Sequence, residues 1–396
     1  MAGNGLYAAA QWAILSLVAK LGGSEMLGQY ALAVALTTPL VMLSHLNLRA
    51  VLATDVKGRQ PFGDYVAVRL GVSGLSLVGI AILALLSGHS GSLAAVILVT
   101  GLAQSSETVS DIYYGAMQRR DEMALIGRSM MARGLVSVCA FGVVLYVLRD
   151  LVWALTVVAA VRVALLLAYD RPRGAAGENP ARSGLGAELS ILRTAIPLGV
   201  MLLLVSLNTN LPRYAIERYL GVGELGAFAA VASFMTVGST VVNALGQAAT
   251  PRLAHHFSRR ETGHFLKLTF RLAASVCALG VAGAAVAAAF GETILGVVYR
   301  PEYARHGGLL VAVMGAAIPG YVAIALGYAI TAARAFDAQA PLFCLVAASC
   351  GSASWLLVPR FGLRGAAVSL AIAASVQIGG EALILARAVR RIEAAG

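Results

Sequence analysis

Stretches of roughly 20 apolar residues, each long enough to cross a hydrocarbon core of about 30 Å as a helix, recur along the whole of this 396-residue chain. About twelve can be distinguished, beginning at Leu6, Gly28, Asp64, Leu93, Ile126 and Leu151, then at Leu192, Leu225, Phe265, Leu309, Ala340 and Leu363. At 59% hydrophobic and 12% charged residues, the chain has more apolar surface than one water-facing core of its length can hide, so lipid is the expected solvent. A membrane barrel would need strands of about ten residues alternating apolar and polar. These segments are instead continuously apolar and rich in Ala, Leu and Gly, which makes them helices.

Lys and Arg set the expected orientation. Loops after even-numbered spans hold Lys57 and Arg59; Arg119, Arg120 and Arg128; Arg171, Arg173, Arg182 and Arg193; Arg252, Arg259, Arg260 and Lys267; and Arg334, with Arg387, Arg390 and Arg391 at the C-terminus. The opposite side has roughly half as many, among them Lys20, Arg149, Arg213 and Arg300. Both termini are therefore expected in the cytoplasm, and topology accounts for most of the net charge of +11 without nucleic acid. Met1–Gly5 lacks a positive n-region, so the first apolar stretch reads as a membrane helix and not as a secretory signal. Cys139, Cys277, Cys344 and Cys350 all fall inside apolar spans with no ligand spacing, as small packing residues do.

The chain also repeats itself. "LGGSEMLGQYALAVA" from Leu21 and "LGVGELGAFAAVA" from Leu220 share one pattern when a gap is placed at Met26. After each comes a span, a basic loop and a span opening on Arg-Leu, at Arg69 and Arg271; "YGAMQRRD" from Tyr114 has a looser echo in "YAITAARAFD" from Tyr328. Equivalent landmarks lie six spans apart, an even number, so the copies cross in the same direction. The expected architecture is an all-α polytopic membrane protein of about twelve transmembrane helices, in two pseudo-symmetric six-helix bundles forming a parallel repeat around a central cleft. The polar break Asp170–Glu188 reads as a linker and places the division at residues 1–182 and 183–396.

Several stretches carry a family likeness: "YAAAQWAILSLVAKLG", "NLRAVLATD" with "FGDYVAVRL", "DIYYGAMQRRDEMALIGRSMMARG", "NTNLPRYAIERYLGVGELGAFAAVA", "GYAITAARAFDAQAPLF" and "PRFGLRGAAVSL". In this order they resemble the bacterial oligosaccharide flippases, O-antigen flippase-like polysaccharide transporters of the multidrug/oligosaccharidyl-lipid/polysaccharide exporter superfamily. The resemblance implies alternating access in the bacterial inner membrane, a polyprenyl-pyrophosphate-linked oligosaccharide as cargo, and membrane lipids and other polysaccharide-assembly proteins as partners. It implies no cofactor beyond a coupling proton or sodium ion. Two alternatives stand beside it. A drug/cation antiporter of the multidrug and toxin extrusion type commonly has a functional acid in its first span, and none is present here. A glycan polymerase or ligase brings a large external loop and an acidic or histidine site; here the external loops are short and His255 and His256 lie in a basic loop.

Carrying a glycan and a pyrophosphate through hydrocarbon requires cations and amides inside the membrane. Arg suits phosphate because its planar fork donates two bonds and stays charged when buried. The candidates are Arg162, about 18 Å into the sixth span at roughly 1.5 Å per residue, with Arg69, Arg271, Arg49 and Arg133 nearer the cytoplasmic side. The competing role for these last four is snorkelling to headgroups, and for Arg162 an ion pair with Glu107. Gln11, Asn208, Asn210, Asn243, Gln247 and Gln377 are candidates for binding sugar hydroxyls, or else join neighbouring helices. Gln11 and Asn210 are equivalent under the gapped repeat. Glu107 and Asp111, four apart on one helical face beside Ser106, Thr108 and Ser110, are candidates for ion coupling. No residue is a candidate for catalysis or for metal binding.

In a protein freed of its four own cysteines, a cysteine at Gly177 is expected to react with impermeant reagents from the cytoplasmic side alone, and one at Gly91 from outside alone. Labelling of both from one side would overturn the twelve-span topology.

Overall fold

The computed structural model describes residues 2–54, 60–86, 91–335 and 338–394. Lys57, Arg59 and Asp337, used above as landmarks, lie outside the described residues. The order of elements is α1 (Ala2–His45), α2 (Leu48–Thr54), α3 (Phe62–Leu86), α4 (Gly91–Arg119), α5 (Met123–Leu148) and α6 (Leu151–Leu165). The last runs through a π turn, Leu166–Asp170, into the short α7 (Arg171–Ala175). Then follow α8 (Leu185–Leu220), α9 (Val222–Ser258), α10 (Thr262–Val298), a 3₁₀ turn at Pro301–His306, α11 (Gly307–Ala332), α12 (Gln339–Phe361) and α13 (Leu363–Ala394). No strand occurs among the described residues.

Eleven stretches among the described residues are long and apolar enough to cross a membrane. The first of them, Gly5–Ala53, has 49 residues, a length of about 74 Å at roughly 1.5 Å per residue, more than two hydrocarbon thicknesses. Gly23, with φ 79° and ψ −172°, breaks α1 into two helices. Counting these separately gives the twelve crossings expected from Leu6 and Gly28 onward. Large apolar side chains such as Leu75, Leu85, Val147, Phe270 and Val297 stand exposed, as they must on helices whose outer face meets lipid.

By packing, the chain forms two compact units, Met1–Ser206 and Leu207–Gly396. The division falls inside α8, later than the 182/183 boundary read from the polar break. That break is no slack linker: it is strapped to the first unit. Arg119 and Arg120 both pair with Glu178, the latter at 3.0 Å. The Ser183 N–H donates to Asp64 at 2.9 Å, and the Gly63 N–H to the Asn179 carbonyl at 3.2 Å. The start of α8 continues the attachment, because Ile191 and Ala195 share a buried core with Leu46, Leu48, Phe62 and Tyr113.

The repeat is visible in the backbone. Gly221, between α8 and α9, has φ 89° and ψ 172°, nearly the conformation of Gly23, in a region open essentially to glycine alone. Each ends the first span of its copy. Superposing Gly23 on Gly221 needs no gap at Met26, and it brings Gln11 onto Thr209 instead of Asn210. The turns after α4 and α11 also match. Asp121 and Arg334 both take the left-handed conformation. In each turn one N–H bonds back three residues and the next bonds back five, from Asp121 and Glu122 to Gln118 and Met117, and from Arg334 and Ala335 to Thr331 and Ile330. This is a helix-ending motif that satisfies orphan carbonyls.

At Gly221 an added Cβ meets open space, so only backbone strain opposes a side chain. Gly221→Ala is expected to cost about 1–3 kcal/mol, read as a lower thermal unfolding midpoint in detergent. Gly223→Ala, two residues on within α9 and equally unobstructed, is expected to be neutral or stabilising, since alanine favours helix by up to about 1 kcal/mol.

Candidate functional site

Among the described spans, α4 has the least apolar central stretch. Ala103, Glu107, Ser110, Asp111, Tyr114 and Gln118 recur at intervals of three and four, which aligns them on one stripe. In hydrocarbon such a stripe needs partners, and three neighbouring helices supply arginines. From α6, Arg162 Nη1 lies 3.0 Å from Glu107 Oε2 and donates to the Ala103 carbonyl at 3.3 Å. From α5, Arg133 Nη2 donates to Ser110 Oγ at 2.6 Å and to Asp170 Oδ2 at 2.7 Å. From α2, Arg49 reaches Asp111 at 3.1 Å and Gln118 at 2.9 Å. His45, at the end of α1, lies 3.3 Å from the other oxygen of Asp111. The Tyr114 ring faces both Arg49 and Arg133, at 5.8 and 5.7 Å. Its hydroxyl shares a 2.7 Å hydrogen bond with Ser129, which donates to Asp170 at 2.5 Å.

These pairs differ in exposure. Arg133 and Asp170 are sealed, their side chains 2% and 0% exposed. Arg162 is buried too, but its partner Glu107 is 35% exposed. Tyr7 lies beside Glu107 within reach of its carboxylate, and Gln11 Nε2 donates to the Tyr7 oxygen at 2.6 Å. Arg162, Glu107, Tyr7 and Gln11 thus form one polar cluster on α1, α4 and α6, in which the guanidinium is buried and the carboxylate is part-exposed.

The remaining sequence candidates are dispersed. Arg69 is fully buried and donates to the Ser44 and His45 carbonyls at 3.0 and 2.9 Å, capping the end of α1 where the chain turns left-handed at Leu46 and Asn47. Arg271 is exposed on α10, so the Arg-Leu landmark repeats in sequence but not in environment. In the second unit Asn243 accepts from Tyr328 at 3.1 Å, and Asn210 accepts from Arg213 at 3.3 Å. The Asn208 side-chain oxygen is buried without a hydrogen bond, and Gln247 is exposed. Gln377 donates to Glu381 at 3.0 Å. Several participants escaped the sequence reading, among them Tyr7, Tyr114, Ser129, Asp170 and His45, and so did Glu381 in α13. Asp170 was hidden at the edge of the polar break, His45 has no motif around it, and Glu381 sits alone in an apolar helix. The one available signal was an ionisable residue within or beside a span. Among the described residues no three His, Cys, Asp or Glu side chains gather as for a metal.

Comparison with known proteins places this geometry in context. The profile of a family described as polysaccharide biosynthesis protein matches residues 2–257. The capsular polysaccharide biosynthesis protein CapF of Staphylococcus aureus is 25% identical over 383 residues, 95% of this chain and 94% of its own. Among solved structures, the lipid II flippase MurJ superposes with a TM-score of 0.78 at 9% identity, over 98% of this chain and 88% of that one. A multidrug resistance transporter of the MATE family in the MOP superfamily gives 0.77 at 12% identity, over 98% and 94%. The fold is that of these two-lobed transporters.

Removing one member of a sealed pair strands the other. Asp170→Ala is expected to cost about 3–5 kcal/mol by leaving Arg133 buried and uncompensated, and the double variant Asp170→Ala/Arg133→Met to recover much of that loss. Arg162→Met, which leaves unpaired only the part-exposed Glu107, is expected to cost markedly less. Unfolding midpoints of the four proteins in one detergent check this.

Proposed function

Since the chain belongs to the polysaccharide biosynthesis protein family, we propose that it moves a lipid-linked oligosaccharide, carried on a polyprenyl pyrophosphate, across the bacterial inner membrane by alternating access. Three features support the reading: the multi-pass helical fold, the likeness along nearly the full length to a capsular polysaccharide protein, and a fold held in common with a lipid II flippase. The basic loops favour cytoplasmic termini.

The observation that carries the proposal is the unequal burial of Arg162 and Glu107. A bare guanidinium at this depth would cost several kcal/mol. Here it is compensated in the resting protein by a carboxylate that solvent still reaches. An incoming phosphate takes the place of that carboxylate and leaves Glu107 to the solvent that already reaches it, so the buried Arg162 is paired before and after loading. Tyr7 and Gln11 then face phosphate oxygens or sugar hydroxyls, and the polyprenyl tail stays in lipid. Drug/cation antiport fits the cluster less well. A cationic substrate needs an uncompensated acid, whereas Glu107, Asp111 and Asp170 each face an arginine. The cargo crosses without any covalent step.

Vesicles containing the purified protein and a labelled lipid-linked oligosaccharide test this. The label is expected to change leaflet with its covalent structure intact; a lengthened or transferred glycan would refute the carrier. Loss of a charge-assisted contact of about 1.5–3 kcal/mol corresponds to roughly ten- to hundredfold in binding. Arg162→Ala and Arg162→Glu are therefore expected to be severely impaired, Arg162→Lys partly, and Arg271→Ala hardly at all. Normal transport by Arg162→Ala would remove the cluster from the mechanism.

A further inference from the structure

The acids of the first unit's polar spine each face an arginine; Glu381 of the second unit does not. It lies on α13 and is 1% exposed. The neighbouring Ile384 and Leu385 belong to a buried core with Ala325, Ala329, Leu342 and Val346. One oxygen, Oε1, accepts a 3.0 Å bond from Gln377, one turn earlier on the same helix. The other, Oε2, is buried with no hydrogen bond at all.

Among the described residues, the elements packed most closely on α13 are α11 and α12, and neither brings a cation to this level. From α11 the near residue is Gly327, where an added Cβ would sit 3.6 Å from Oε1; from α12, Leu342 packs against Gly380, next to Glu381. The titratable groups of these helices are engaged elsewhere or face outward. Tyr321 donates to the Met235 carbonyl, Tyr328 to Asn243 and Cys350 to the Asn208 carbonyl. Cys344 and Arg360 are exposed, as are Arg387, Arg390 and Arg391 further along α13.

An ionised carboxylate in this setting would have one hydrogen bond, no counter-charge and almost no exposure to solvent. Its burial cost is of the order that makes a group neutralise instead. The carboxylic acid suits the site: its carbonyl oxygen accepts from Gln377, and only a single O–H is left to place. We propose that Glu381 is a proton-binding site of the second unit, neutral in the conformation seen here and ionised only when the helices around it admit water. The site takes up one proton and releases one, with no other bond changed. If the protein transports by alternating access, that cycle couples transport to a proton gradient; this clause alone rests on the function proposed above.

Infrared difference spectroscopy of the protein in lipid nanodiscs at neutral pH tests the site itself. A deuterium-sensitive carbonyl band of a protonated carboxylic acid is expected in the wild type and in Glu107→Gln. The band is expected to be absent from the near-isosteric Glu381→Gln and displaced, not lost, in Glu381→Asp. A wild type with no such band, or a band that Glu381→Gln leaves in place, would overturn the proposal. Loss of the band on adding sodium alone would overturn it in favour of a sodium site. The coupling is tested in the labelled-glycan vesicles. An imposed pH gradient is expected to accelerate the wild type, while Glu381→Gln exchanges cargo at a rate indifferent to the gradient. A gradient response retained by Glu381→Gln would refute the coupling. Absence of glycan movement in the wild type would refute the transport reading and leave the infrared result standing.

Discussion

Charge in hydrocarbon must be matched within hydrogen-bonding distance, and the first unit is organised around that requirement. Helix α4 brings two carboxylates, hydroxyls and amides into the membrane, and the arginines of α2, α5 and α6 meet its Asp111, Ser110 and Glu107 in turn. Each match ties a different helix to α4. The pairs therefore do more than neutralise: they set the rotation of every helix that contributes one, in a solvent where apolar surface cannot, because lipid is as apolar as a leucine side chain. Arg69 extends the logic to the backbone by serving carbonyls that α1 leaves open at its end.

Seen this way, the two units are unlike in chemistry although alike in outline. The first buries paired charges among its helices, whereas among the described residues of the second the buried acid is Glu381, with no arginine against it. Duplication copies a backbone; side chains then diverge under separate demands. Gly23 and Gly221 keep the same unusual dihedral angles, and the turns at Asp121 and Arg334 keep the same hydrogen bonds. Yet Arg69 is enclosed while Arg271 lies open.

Much of the fold was legible in the sequence because the membrane simplifies reading: twenty apolar residues have one common use. The number of spans followed from the apolar stretches alone. Less legible was which polar residues meet. Glu107 and Arg162 lie 55 positions apart, and nothing local signals their contact. The polar break of residues 170–188 was misread for a related reason. Composition describes how a segment behaves alone, whereas Glu178 and Asn179 are held by partners from α4 and α3. The gap placed at Met26 erred similarly, because identical letters outweighed a backbone angle that letters do not display.

The π turn at Leu166–Asp170 has a bearing on which length changes the chain can tolerate. A π turn holds one residue more than the α-helix around it accommodates, and this one ends on Asp170, the buried partner of Arg133. Losing a residue there would restore a regular helix while turning everything beyond by about 100°, swinging the carboxylate out of reach of its guanidinium. A deletion that improves the local hydrogen-bond ladder would thus unmake a distant one, and the irregularity is held in place by electrostatics.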